Sequence, residues 1–258
     1  MIKDYFDSNG LSISIPKTTY IYFCPKNKKK HNLNIKIGND ELKECEQIVF
    51  LGVTIDNRFQ EHFEKVYQKA KKGLNGLLIV KNILNVRAKL QIYFSLIHSH
   101  FVYGGLIWLS SLKSKQINAL KSVQKKALRA VYNVKFNAHT SKLFNQSKLT
   151  KIENVFEKES ILLTHKYLNL SLPKEIIKIF DDSLQKTAIH TRSIAKSNLK
   201  IKRDLTKGNI MYDIITNWNT CPMSIRENEN IKDIKKIILA KQNEIEVCQK
   251  KDCYVCSK

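Results

Sequence analysis

FLGVTID, Phe50–Asp56, hands over through Asn57, Arg58 and Phe59 to QEHFEKVYQKAKKGLNGLL, Gln60–Leu78, and the reading of that join decides the fold. The first part is short, apolar and β-branched, which predicts a strand. Gly52 within it marks a bulge or a close approach by another backbone or a ligand. From Phe63 the period changes: Phe63, Val66, Tyr67, Ala70, Leu74, Leu77 and Leu78 recur at helical spacing and predict one buried face. Lys65, Lys69, Lys71 and Lys72 occupy the other side. A strand giving way to a basic-backed helix predicts an α+β chain, with its sheet ahead of the join and helices beyond it.

The residues ahead of the join fit that reading. Ile2–Ser8 predicts a short helix or turn ending at Asn9-Gly10, and TTYIYFC, Thr18–Cys24, predicts a strand between Pro16 and Pro25. Asn34–Ile37 predicts a second strand turning at Gly38-Asn39-Asp40, and Gln47–Ile55 a third. Between the first two lies a basic loop that carries Lys28, Lys29 and Lys30. The expected architecture of residues 1–58 is therefore a small antiparallel sheet.

Beyond the join the pattern is helical to about residue 187. Asn85 is placed to cap a helix from Val86 to about His100, with Leu90, Tyr93, Phe94 and Ile97 inward. Ile117, Leu120, Ala127, Leu128 and Val131 define another apolar stripe, with Lys115, Lys121, Lys125, Lys126 and Arg129 mainly off it. A further helix covers about Lys151–Leu168, and Pro173 opens the next at its first turn. Residues 188–208 are basic and poor in apolar side chains, which predicts a linker, and 209–258 a small C-terminal unit built on Trp218, Ile225 and IKDIKKIIL. Tyr103, Trp108 and Trp218 are expected to anchor core before they serve as stacking platforms.

Charge narrows the partners. The 258 residues carry a formal charge of +22, which favours polyanions. Lysines off a helix stripe suit a phosphate backbone and equally an ordinary solvated face. The N-terminus has no apolar core of a signal peptide. The longest apolar runs fall short of the roughly 20 residues of a membrane span. With six cysteines and no secretory signal, reduced thiols and an intracellular setting, cytoplasm or nucleus, are expected.

The wording of the chain resembles a known family. FLGVTID with Phe59, Glu61 and His62 behind it, SLIHSHFVYGGLIW (Ser95–Trp108), SVQKKALRAVY (Ser122–Tyr132), NLSLPKEIIKIF (Asn169–Phe180) and the pattern Trp218, Asn219, Pro222, Ile225, Arg226 follow the order of the region after the catalytic motif of non-LTR, jockey-like retrotransposon reverse transcriptases. The resemblance covers nearly the whole chain. It implies the end of a polymerase palm over 1–58, with Phe50, Leu51, Gly52 and Val53 in the position of the primer grip, and a helical thumb-like region over 59–187. It implies RNA and DNA, a template–primer duplex, as partners, held by Lys28, Lys29, Lys30, Lys65, Lys69, Lys72, Lys121, Lys125, Lys126 and Arg129.

In that family the clustered carboxylates that hold Mg²⁺ precede the segment matching Ile2–Thr18, so this chain is expected to lack catalytic residues and any cofactor of its own, with an upstream polymerase portion as a possible partner. Asp181-Asp182 mimics half of the motif, but it follows an amphipathic segment and not an apolar hairpin strand, and it reads as solvated helix-end residues. His62, His98 and His100 show no ligand spacing. Cys248, Cys253 and Cys256 include a CxxC, yet a structural zinc site needs four ligands, so no metal is assigned there. The competing reading is a repurposed helical protein-interaction module whose lysines are merely solvated.

Overall fold

The computed structural model describes residues 2–24, 29, 31–185 and 198–242. It is mostly helical, with two-stranded ladders confined to residues 19–55. Residues 1–64 and 65–258 form two compact units, and each has its own logic.

In the first unit, α1 (Ile2–Ser8) stops where the sequence predicts. Ser8 Oγ and Asn9 Nδ2 donate back to the Asp4 and Tyr5 carbonyls, and Gly10 takes a left-handed φ of 67°. The single antiparallel sheet is not formed. β1 (Thr19–Tyr20) pairs in parallel with β4 (Lys43–Glu44), while β2 (Lys36–Ile37) with β3 (Asp40–Glu41) and β5 (Ile48–Phe50) with β6 (Val53–Ile55) make separate antiparallel ladders. The stretch between β1 and β5 is lysine- and glutamate-rich and offers little period-2 apolar pattern to register a wider sheet.

The run expected as one strand over Gln47–Ile55 is a hairpin folded at Leu51-Gly52. Leu51 has φ 46° and Gly52 φ 81°, the positive pair that a two-residue type I′ turn needs. Gly52 thus serves a turn and not a bulge. After β6, the Asp56 carboxylate accepts from the backbone N–H groups of Arg58 (2.7 Å), Gln60 (3.1 Å) and Glu61 (2.8 Å), which caps the incoming helix.

That helix, α2 (Gln60–Val80), carries the expected stripe into the second unit, with Val66, Ala70, Leu74 and Leu77 buried. Leu78, expected inward, is exposed. Lys89 is buried and its Nζ donates to the Lys81 carbonyl at 2.9 Å, just past the end of α2, where backbone carbonyls lack helical partners. α3 (Val86–Tyr93) starts at Asn85, whose Oδ1 accepts from Ala88 N at 2.9 Å. It then widens into a π turn over Phe94–His98 before α4 (Ser99–Val102). The wider turn keeps Tyr93, Ile97 and Phe101 in one fully buried i, i+4 seam and leaves Phe94, expected inward, exposed.

α2 crosses this turn closely: a Cβ added at Gly73 would lie 2.6 Å from the Leu96 carbonyl oxygen. Gly104, at φ 61°, breaks the run before α5 (Gly105–Trp108). Trp108 is fully buried and its Nε1 donates to the Tyr103 carbonyl at 3.0 Å, whereas the Tyr103 ring, expected in the core, is exposed.

α6 (Ser114–Val131), α7 (Ser141–Ser147) and α8 (Val155–Leu168) follow, and Gln124 of α6 ties α3 to the segment between α7 and α8. Its amide is fully buried, donates to Tyr93 Oη (3.1 Å) and the Thr150 carbonyl (3.0 Å), and accepts from Ile152 N (2.9 Å). α8, α9 (Lys174–Ser183), α10 (Ile210–Thr220), α11 (Met223–Arg226) and α12 (Ile231–Gln242) share one core, with Tyr167 stacked on Phe180 at 4.4 Å and Trp218, Ile215 and Ile234 fully buried.

Of the expected linker, residues 188–197 lie outside the described residues, and 198–201 is packed structure. Leu199 is buried in that core and bonded through its backbone in both directions by the Asn219 amide, at 2.8 and 2.9 Å. Leu184 bridges Ile201. The described part of 209–258 therefore shares its core with α8 and α9 instead of standing apart.

Among the described residues no single helix is long and apolar enough to cross a membrane. The bent pair Val86–Val102 and Gly105–Ser111 reaches that length and composition together, but its Tyr93, Ile97, Phe101 and Trp108 are fully buried in protein.

Candidate nucleic-acid interface

The residues singled out for nucleic acid fall on three surfaces and one outlying loop. The hairpin tip is the first. Phe50 is 62% and Leu51 75% exposed, Gly52 is open, and Val53 points inward and is buried. The tip presents two large apolar side chains to solvent, and its turn holds a leucine in the left-handed region, which costs roughly 1–2 kcal/mol. Behind it, His62 at the start of α2 is buried and its Nδ1 accepts from Thr54 N at 3.2 Å, so this imidazole braces β6.

The second surface is the outer face of α2. Lys65, Lys69 and Lys72 are all exposed and follow one another at i, i+4 and i+7, about 10 Å along the axis. Like charges at this spacing repel by a few tenths of a kcal/mol per pair, a penalty that an anion lying along the ridge removes. Burial, and then the charge of Lys69, hold the His100 imidazole below its ordinary pKa. Lys71 packs its ammonium over the Tyr67 ring at 5.4 Å, beside the ridge.

The third surface, on α6, divides. Lys126 is exposed and Lys125 half-buried. Lys121 pairs with Glu153. Arg129 is half-buried, and its Nε donates to the Ala138 carbonyl at 2.9 Å; burial holds its pKa below the ordinary guanidinium value. Arg129 therefore pins the loop after α6 in addition to any outward role. Lys29 is exposed, while Lys28 and Lys30 lie outside the described residues. The structure thus gathers Lys65, Lys69 and Lys72 into a ridge, and gives Lys121 and Arg129 partners within the protein.

Among the described residues no group of three or more His, Cys, Asp or Glu side chains could hold a metal ion. Asp181 and Asp182 sit in the last turn of α9, exposed, with Asp181 accepting from Tyr167 Oη at 2.7 Å. His98 is drawn into the core beside Tyr93 at 3.4 Å, where burial and then Lys158 lower its pKa to about 4. Cys248, Cys253 and Cys256 lie outside the described residues. The first unit also holds an open cavity of about 550 Å³, between Ile21–Cys24, Glu44–Gln47 and Asp56–Glu61.

Sequence reasoning missed a cluster at residues 139–151, where His139, Thr140, Ser141 and Lys151 converge on Lys121 and Lys125. No periodicity signals it, because three separate segments supply it. Comparison with known proteins returns no match to a family model, to a curated protein or to a solved structure.

Proposed function

We propose that the chain is part of a retrotransposon RNA-directed DNA polymerase and contacts template–primer nucleic acid through the α2 lysine ridge and the hairpin tip. The observation that carries this is the ridge: three exposed lysines in register on one helix face of a chain with formal charge +22. The opposite stripe of α2 is buried, so the helix presents its charges on a fixed support. The motif order given above supports the polymerase family, and it puts Phe50–Val53 in the primer-grip position. The exposed Phe50 and Leu51 are suited to lie against sugar and base surfaces near a primer end. Polymerisation is assigned to no residue of this chain. In the family resembled, that step belongs to Mg²⁺-holding carboxylates ahead of the matched segments.

A second reading has its own observation. Leu78, Ile79 and Ile83 are exposed around the α2–α3 connection, with Ile79 at 76% and Ile83 at 78%. Such a patch suits a protein partner. Fluorescence anisotropy with a labelled RNA–DNA hybrid separates the two. Nucleic-acid binding gives an affinity that falls linearly in log–log form with salt, at about 0.9 per neutralised phosphate. Absent or salt-insensitive binding rejects it in favour of the interaction module.

A further inference from the structure

Three segments distant in sequence close around a small cavity in the second unit. α6 brings Lys121 and Lys125, the stretch leading into α7 brings His139, Thr140 and Ser141, and the turn before α8 brings Lys151. Its volume is about 30 Å³. That is room for a few water-sized atoms and an order of magnitude below the ~300 Å³ of ordinary small-molecule pockets. The wall is cationic: three lysines face the single carboxylate of Glu153, which pairs with Lys121.

Thr140 and Ser141 line the cavity and are 5% and 7% exposed. The Nδ1 of His139 is buried and has no hydrogen-bond partner among the described residues. Buried polar atoms are ordinarily bonded. Two hydroxyls, an imidazole nitrogen and lysine ammonium groups around so small a space suit a compact, multiply charged acceptor.

We infer that this cavity seats one tetrahedral oxyanion, a phosphate group. The phosphate is either a phosphodiester of a bound strand or free inorganic phosphate; the first source rests on the nucleic-acid reading above, and the seat itself does not. A base or sugar is excluded by size, so the site reads no sequence.

The test uses the full chain with ¹⁵N-labelled histidine, titrated with inorganic phosphate against chloride at constant ionic strength. A saturable shift of the His139 ring resonances is expected, weakened about tenfold in the charge-neutral T140V/S141A double variant, which loses two hydrogen bonds to a charged group. No saturable shift in the folded wild-type chain overturns the proposal, whatever a hybrid does. For the phosphodiester source, K125Q weakens RNA–DNA hybrid binding and lowers its salt slope by about 1, and inorganic phosphate competes for the hybrid at constant ionic strength. A phosphate shift with hybrid binding unchanged in K125Q overturns that source and leaves a free-phosphate seat. A phosphate shift with no hybrid binding at all keeps the seat and rejects the nucleic-acid reading.

Discussion

Leu51 occupies a turn position that asparagine, aspartate or glycine fills at lower cost, because its φ of 46° is left-handed. Replacing it with asparagine is expected to stabilise the chain by about 1 kcal/mol in urea unfolding, while hybrid affinity falls through loss of the exposed apolar tip. Stability and binding moving together would argue against a functional tip. Gln124 is a second decisive residue. Gln124→Ala strands the Thr150 carbonyl and Ile152 N in the core and leaves Tyr93 Oη only its longer contact with His98 Nδ1, at an expected cost of about 3 kcal/mol by the same measurement. His98 sets an acid limit. It titrates near 6.5 when unfolded and about 4 when folded, so the folded chain binds fewer protons between those values. Stability is therefore full above pH 6.5 and declines toward pH 4, by on the order of 3 kcal/mol. H98Q is expected to flatten that part of the stability–pH curve, and an unchanged curve would remove His98 as its cause. At this scale the sequence was legible where one residue acts locally, as Asn85 does in its cap. It was silent on Gln124, whose three partners come from distant segments.

At the scale of elements, α2 was legible from its period and its outward lysines. The hairpin was not, because FLGV lacks the Asn-Gly or Asp-Gly pair that signals such a turn. Phe94 was misplaced because a π turn is set by packing: local spacing predicts 3.6 residues per turn and cannot foresee the wider one. That turn lies against Gly73, and this contact is testable. Gly73→Ala puts a methyl within 2.6 Å of the Leu96 carbonyl oxygen, and backbone must shift to admit it. Helix propensity alone favours alanine by about 1 kcal/mol, yet a net loss of melting temperature is expected; a gain would mean that α2 and the π turn yield easily. On the ridge, K65Q/K69Q/K72Q is expected to lower the salt slope of hybrid binding by about 3 with little change in melting temperature. A slope unaltered in the folded triple variant would move the interface elsewhere.

For the whole molecule, a formal charge of +22 favours a polyanion partner but does not say where one would lie. The mostly helical α+β character followed from periodicity, whereas the division of the chain did not. Low apolar content suggested a linker over 188–208, but Leu199, locked by Asn219, and Ile201, bridged to Leu184, fasten 198–201 to the core that includes residues of α8 and α12. The Trp218, Asn219, Pro222, Ile225, Arg226 pattern has the same character. Trp218 and Ile225 fill core, Asn219 holds Leu199, Pro222 precedes α11, and Arg226 Nη1 donates to Asn198 Oδ1 at 2.8 Å. These residues explain a fold, and the proposed nucleic-acid contact rests on the lysine surfaces. The measurement that bears most directly on that claim is lysine acetylation footprinting of the full chain with and without an RNA–DNA hybrid, read by mass spectrometry. Protection concentrated at Lys65, Lys69, Lys72 and Lys126 is the predicted result. Binding with those four as reactive as in the free chain, or no protection anywhere, would contradict it.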